Sequence, residues 1–438
     1  MEIDKTTLND LVIFDKEDEF SIFNKINATT TVRGREQLRK YIATPLPNAQ
    51  AIRAIQQTIT TIIQHLQQWP TCISNGTIMV VERFYDAQID AIPQKPTPIN
   101  TFSYKILHSH DFTLVKYSVK HCFDFIKGMQ QLVALLLHDD TPAPLKEQLS
   151  NAQQLLHQSA FNIIHKKTTA AELNAAQTLQ LGYFLLYQYK RKMYDLLNIF
   201  GRLDAWFGMA KTTQQFNLCM PEIVETDTPF IQANKLFHLM LNNPVSYNVT
   251  LNKTTNFLFL TGANMAGKST FIKACGTAVY LAHTGMGVPA QQMQLSFFDG
   301  ILSNINVIDN IAKGESYFFN EVQRIKATIK KVSDGKKWLI LIDELFKGTN
   351  VQDAMKCSSE VIGGLLKVKN SLFILSTHLY EIGHELKVHP NITFNYFETA
   401  VTNDQLSFSY LLKDGISNDR LGYLILKKEG VVDMLGRL

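Results

Sequence analysis

Residues Gly262-Ala263-Asn264-Met265-Ala266-Gly267-Lys268-Ser269 fit the pattern G-x-x-x-x-G-K-[ST] at every position. The spacing has a physical basis. Two glycines let backbone N–H groups turn inward around a phosphate chain, and a helix that starts there adds the positive end of its dipole. Lys268 then reaches the β- and γ-phosphates, and the Ser269 hydroxyl becomes a ligand for Mg2+. A second pair, Asp343-Glu344, closes the apolar run Leu339–Ile342. An acid at the carboxyl end of a buried strand lies where open α/β sheets bind ligands. Asp343 is expected to hold Mg2+, directly or through water, and Glu344 to polarise the water that attacks the γ-phosphate. His378, in Ser376-Thr377-His378, also follows an apolar strand and reads as a γ-phosphate sensor. The chemistry these residues suit together is ATP binding and hydrolysis with Mg2+.

Such residues need a scaffold that brings them to one edge. Phe257–Thr261 (FLFLT) is a strand candidate that runs straight into the glycine loop, with a helix from about Ser269. Trp338–Ile342 (WLILI) and Leu372–Ser376 (LFILS) are continuous apolar runs of the kind found in buried parallel strands. Helical spacers separate them, so residues 221–438 read as an α/β domain with a mainly parallel sheet. From about Ser21 to Met220 leucine and glutamine are frequent and glycine is rare. In Ala51–Leu66 the residues Ile52, Ile55, Ile59, Ile62, Ile63 and Leu66 recur at helical spacing. Pro144–His165 and Ala170–Phe216 do the same. The latter lacks proline and is expected as one long arm or as two helices broken near Gly201 or Gly208. Pro45-Leu46-Pro47 marks a turn, and Asp90–Asn100 a second break. The expected organisation is an extension over 1–20, an all-α domain over 21–220 and the α/β domain over 221–438.

Composition sets outer limits. The 438 residues are 45% hydrophobic and 19% charged, enough to fill more than one core. A net charge of +4 is compatible with nucleic acid without demanding it. Five scattered cysteines, with neither metal-ligand spacing nor pairing, suit a reducing compartment. The longest apolar stretches, Leu132–Leu137 and Gly182–Tyr189, fall short of the roughly 20 residues a membrane-spanning helix needs. No signal-peptide core opens the chain, and a cytoplasmic location is expected. Lys166-Lys167 and Lys190-Arg191-Lys192, near Tyr183, Tyr187 and Tyr189, are candidate nucleic-acid contacts or a solvated helix face.

The segments TGANMAGKST, GMGVPAQ, DNIAKGESYF, LILIDELFKGTN and STHLYEI follow one another as in the MutS family of DNA mismatch-repair ATPases, which the chain resembles. Asn264-Met265 and Val288-Pro289-Ala290 carry much of that likeness, since generic phosphate loops lack both. Ser21–Gln57 resembles the start of the MutS helical core, including a Gly34 turn and a Pro45-Leu46 exit. Leu203-Asp204-Ala205 and Met220-Pro221 resemble its end. The likeness is dense after Asn256 and thin between Gln57 and Leu196. It implies a helical core or lever domain followed by an ABC-like P-loop ATPase domain. In that scheme the ATPase domains dimerise, and each nucleotide is sandwiched between two subunits. Gly262 to Thr270, Asp343, Glu344 and His378 would then act in cis. Ser316 would approach the γ-phosphate held by the other copy, at the head of a helix running through Val332, where it equally serves as an N-cap. Tyr410 sits where the family stacks adenine, though a strand aromatic there equally belongs to the core. The partners implied are DNA read by shape (duplex or branched), a second copy of the chain and a MutL-like protein.

Several positions depart from the family pattern. Val245, after Asn243-Pro244, replaces the usual phenylalanine, which predicts looser adenine packing. The signature segment reads Lys313-Gly314-Glu315-Ser316-Tyr317, and an inward Glu315 would weaken a contact to the shared phosphate. Phe346 replaces the usual glycine. The core begins near residue 20, so the mismatch-reading and connector domains are expected to be absent, the DNA clamp reduced and no further C-terminal dimerisation module present. The reading that follows is a MutS-related ATPase acting on DNA shape and not itself reading mismatches. The alternatives are an ATP-gated protein-interaction module that does not bind DNA, and a nearly inactive ATP-binding scaffold.

Overall fold

The computed structural model describes residues 1–15, 18–306, 317–402, 405–417 and 431–435. They form two compact units, one from Met1–Lys25, Thr44–Arg53 and Phe216–Leu438, the other from Ile26–Ala43 and Ala54–Gln215. In the first unit the strands, in chain order, are β1 (Glu2–Ile3), β2 (Glu222–Val224), β3 (Ile231–Leu236), β4 (Tyr247–Leu251), β5 (Phe257–Thr261), β6 (Gln292–Ser296), β7 (Gly300–Asn304), β8 (Trp338–Asp343), β9 (Ser371–Ser376), β10 (Ile392–Thr402) and β11 (Gln405–Asp414).

The seven-stranded sheet has the order β1-β7-β8-β9-β5-β10-β11. Every neighbouring pair is parallel except the β10–β11 hairpin. β5, β8 and β9 are buried at every residue, as unbroken apolar runs covered on both faces must be. On one face, Phe257, Phe259, Ile340, Ile342 and Phe373 pack with Ile325 and Val332 of the Tyr317–Val332 helix and Ile362 and Leu365 of the Val351–Leu365 helix. The Lys268–His283 helix lies close on the sheet: a Cβ on Gly276 would come within 2.5 Å of Leu341. A four-stranded sheet, β2-β6-β3-β4, completes the unit.

The first eleven residues are woven into this unit. β1 pairs with β7, and buried Asp10 accepts hydrogen bonds from Ser303 Oγ (2.5 Å), Ile305 N (3.1 Å) and Asn306 N (3.1 Å). Arg324 Nη1 donates to Asp4 at 2.8 Å.

The second unit is helical. Its long elements are Val32–Ala43, Asn75–Phe84, Ser109–Leu136, Ala143–Leu156 and Lys190–Gln215. Two expectations change here. The Lys190–Gln215 helix runs unbroken through Gly201 and Gly208, and the interruption falls earlier, at a π-helical turn over Phe184–Gln188. There Phe184 and Tyr189 pack edge-on against Phe161, and the Tyr189 hydroxyl donates to Leu155 O at 2.7 Å. The two glycines serve close approach instead: added Cβ atoms would meet Arg33 O at 3.4 Å and Thr29 N at 3.0 Å. Gly34 is likewise helical, not a turn. A Cβ there would fall 2.0 Å from Asp204 Oδ2, and Asp204 accepts from the backbone N–H and hydroxyl of both Thr30 and Thr31. Thr31 Oγ1 in turn accepts from Gly34 N at 3.1 Å and caps the Val32–Ala43 helix, so the buried carboxylate holds that capping residue in place from another helix.

Candidate functional site

Strand register puts the chemistry at one level. Leu260 of β5 lies opposite Ser376 of β9, and Ser376 lies opposite Asp343 of β8. The carboxyl ends of three adjacent parallel strands therefore present the glycine loop, the acid pair and the Ser376-Thr377-His378 segment side by side. Thr377 N donates to Leu260 O at 2.9 Å and Glu344 N to Ser376 O at 2.9 Å, tying the three loops together.

The loop turns at left-handed backbone: Gly262 has φ 135°, Met265 φ 68° and Gly267 φ 111°. At Gly262 a side chain would also press on Phe397 O, 3.2 Å away. Ala263 and Ala266 are buried beneath the loop, whereas Met265 is 73% exposed. Lys268 is buried and its ammonium donates to Gly262 O (2.7 Å) and Ala263 O (2.9 Å). Burial lowers its pKa, opposed by the charges of Glu344 and Asp343. Ser269 Oγ donates to Asp343 Oδ2 at 2.5 Å, and the other carboxylate oxygen accepts from Ser376 Oγ. A hydroxyl and a carboxylate side by side form an all-oxygen donor set, which fits Mg2+.

Glu344 has φ 61°, which swings its side chain toward the loop. One carboxylate oxygen lies 3.6 Å from His378 Nδ1 and the other 3.4 Å from Lys347 Nζ. The His378 contact, then Lys347 and Lys268, outweigh burial and bring its pKa down to about 2.

A cavity of about 620 Å3 opens over the loop. Asn264, Met265, Gly267, Lys268, Ser269, Thr270 and Glu344 line it together with Leu241, Val245, Tyr247 and Tyr410, and the Tyr410 ring lies against Gly267, 3.5 Å from where a Cβ there would sit. Tyr410 reaches it through a bulge. Phe397 pairs with Leu412 and Thr399 with Phe408, so Ser409, Tyr410 and Leu411 together oppose Glu398, and Tyr410 takes φ 55°. The bulge re-aims the ring out of the hairpin. Asp343 and His378 sit just behind Ser269 and Glu344. Ser316 and Glu315 lie outside the described residues, although the helix expected to run through Val332 is present from Tyr317. Near the C-terminus the described residues include a short helix, Val431–Leu435.

Two features escaped the sequence reading. Glu321 is buried and accepts from the N–H of Lys347 (3.3 Å) and Gly348 (3.4 Å). Its signal was an acid in phase with the buried stripe Ile325, Thr328 and Val332. Lys347 is the other, and only its pairing with Glu344 in space marks it.

Fold and site define an α/β protein whose glycine loop, hydroxyl–carboxylate pair and second acid meet at the carboxyl edge of a mainly parallel sheet. Residues 258–434 match MutS domain V. A DNA mismatch repair protein MutS from Petrotoga mobilis is 27% identical over 53% of this chain and 28% of its own length. A MutS protein homolog 4 from Homo sapiens is 28% identical over 53% of the chain and 25% of its own. The DNA mismatch repair protein MSH3 of Vanderwaltozyma polyspora is 28% identical over 58% and 25%. The matched part thus amounts to about a quarter of each relative's length. Over these residues the chain is similar to MutS-family proteins.

Proposed function

We propose that this chain is a MutS-related ATPase that binds ATP and Mg2+ in the cavity over residues 262–270 and couples hydrolysis to conformational change on DNA. The observation that carries this is the convergence of Lys268, the Ser269–Asp343 pair and Glu344 on one cavity that Leu241, Val245, Tyr247 and Tyr410 also line. A triphosphate suits the backbone amides and Lys268 of the loop, and a purine suits the Tyr410 ring and Val245. The fold is read as an ABC-like P-loop domain over 221–438 behind a helical core or lever domain over 21–220. Mg2+, held by Ser269 and Asp343, would neutralise charge building on the phosphates. Lys268 supplies a fixed cation at the loop and the Lys268–His283 helix its positive end. Glu344 orients and polarises water; at a pKa of about 2 it is a weak proton acceptor, so orientation is its larger contribution. His378 holds that carboxylate ionised and senses the γ-phosphate.

Composite sites between two copies, with Ser316 reaching across, and a MutL-like partner rest on the family likeness. The same holds for a role in mismatch repair or recombination without mismatch reading. A cytoplasmic setting is consistent with the described residues, in which no helix is long and apolar enough to cross a membrane. The test measures ATP turnover and DNA mobility with duplex, mismatched and branched DNA across salt concentrations. Turnover that rises with DNA and is lost in Glu344→Gln supports the proposal; mobility and turnover indifferent to every DNA overturn its DNA half. One observation favours a protein partner as the alternative. The Pro98–Leu107 helix exposes Ile99 (83%), Phe102 (67%) and Ile106 (57%) along one stripe.

A further inference from the structure

We propose that Glu321 is a positioning residue for hydrolysis, holding the backbone of Phe346–Gly348 in the conformation that turns Glu344 and Lys347 toward the glycine loop. The inference rests on the reading that Glu344 orients the attacking water. Glu344 and Phe346 both adopt left-handed backbone, φ 61° and φ 60°, which residues bearing a Cβ take only when their surroundings impose it. Alternation of this kind turns successive N–H groups to one side and makes a concave seat for an anion. Here the seat is filled from within the protein. The Glu321 carboxylate accepts from Lys347 N and Gly348 N; burial raises its pKa, and the amides of Gly348, Lys347 and Phe346 oppose that rise by favouring the ionised form.

The same helix grips the loop a second time. Phe318, one turn ahead of Glu321, packs its ring 5.7 Å from that of Phe346, which is buried although glycine is usual there in the family. The Phe346 side chain therefore gives the helix a handle on a backbone conformation that glycine would adopt without one. Strand β9 fixes the other end of the loop through Glu344 N and Ser376 O. With both ends held, Lys347 Nζ stays within 3.4 Å of the Glu344 carboxylate. Without Glu321, the amides of Lys347 and Gly348 lose their acceptor and the loop can relax to ordinary backbone angles, taking Glu344 with it.

The test compares Glu321→Ala, Glu321→Gln and Glu344→Gln in the full chain by steady-state ATP turnover, fluorescent-ATP affinity, thermal melting and amide hydrogen exchange. For Glu321→Ala the expected result is a fall in kcat of about 10–100-fold with KM and affinity within about twofold, because orientation is lost while the phosphate seat is kept. Exchange at residues 346–348 should speed up in the same variant. Glu321→Gln keeps an oxygen that accepts from the amides and should recover most of kcat, also serving should the alanine variant fail to fold. A wild-type kcat in Glu321→Ala overturns the proposal. So does a glutamine variant as impaired as alanine whose melting temperature and ATP affinity fall with it. Full turnover in Glu344→Gln would instead sink the role given to Glu344, so the two failures are distinguishable.

Discussion

Glu344 carries a charge that its surroundings keep in place. Its folded pKa of about 2 lies below the ordinary 4.5, with the His378 contact the largest cause. A depressed carboxylate stays ionised above its folded value and loses that state only as pH falls through about 2. Turnover in weak acid should therefore not be limited by protonation of Glu344. Removing the largest cause reverses this: in His378→Ala the acid limb of kcat should move up toward 4.5, read from a pH–rate profile. A limb that does not move would show that the 3.6 Å pair has no electrostatic effect on the carboxylate. Tyr410→Ala should raise KM for ATP about three- to tenfold with kcat little changed, since a stacked base contributes binding common to ground and transition states. The loop residues were legible because their pattern is local and contiguous. Tyr410 was legible as a strand aromatic at a position where the family stacks adenine, but how it is aimed was not, since the bulge depends on how β10 and β11 pair.

At the scale of elements, β5, β8 and β9 could be read almost to the residue, because a strand buried on both faces must be apolar throughout. Helix junctions in the second unit were not legible. Gly201 and Gly208 look like breaks in a linear reading, and only the segment packed against them, Arg33 at Gly201 and Ala28–Thr29 at Gly208, explains the glycines. The anchor that Asp204 gives to the capping segment has the same character, since the carboxylate and its donors Thr30 and Thr31 lie far apart in sequence. Asp204→Ala should lower unfolding free energy by about 2–4 kcal/mol in urea titration, because the buried Thr31 amide and hydroxyl and the Thr30 amide and hydroxyl lose their acceptor. Gly34→Ala should be destabilising as well, its methyl group competing with the Asp204 carboxylate for one place.

For the whole molecule, acidity should act on stability through buried histidines. His283 is fully buried, with Phe298 N donating to Nε2 at 2.9 Å and Nδ1 facing Val279 O at 2.8 Å, an arrangement only the neutral ring satisfies. Burial lowers its pKa from 6.5 to about 4. The unfolded chain then binds a proton the folded chain refuses, so stability is complete above 6.5 and declines as pH falls toward 4. His238 is shifted the same way. For His283 the loss is on the order of 3 kcal/mol across that window, visible as a falling melting temperature. A melting temperature flat from pH 7 to 4 would contradict it.

The strand at Glu2–Ile3 and the Asp10 contacts have a consequence for biosynthesis. Their partners on β7 emerge from the ribosome roughly 300 residues later, which at about 5–20 residues per second is a delay of tens of seconds. Through that interval the opening segment has no sheet to join, while the helical unit between can already pack. A truncated chain that begins at Phe216 should leave the β7 edge and the amides of Ile305 and Asn306 without their acceptor. Supplying Met1–Lys25 as a separate peptide should restore part of its stability.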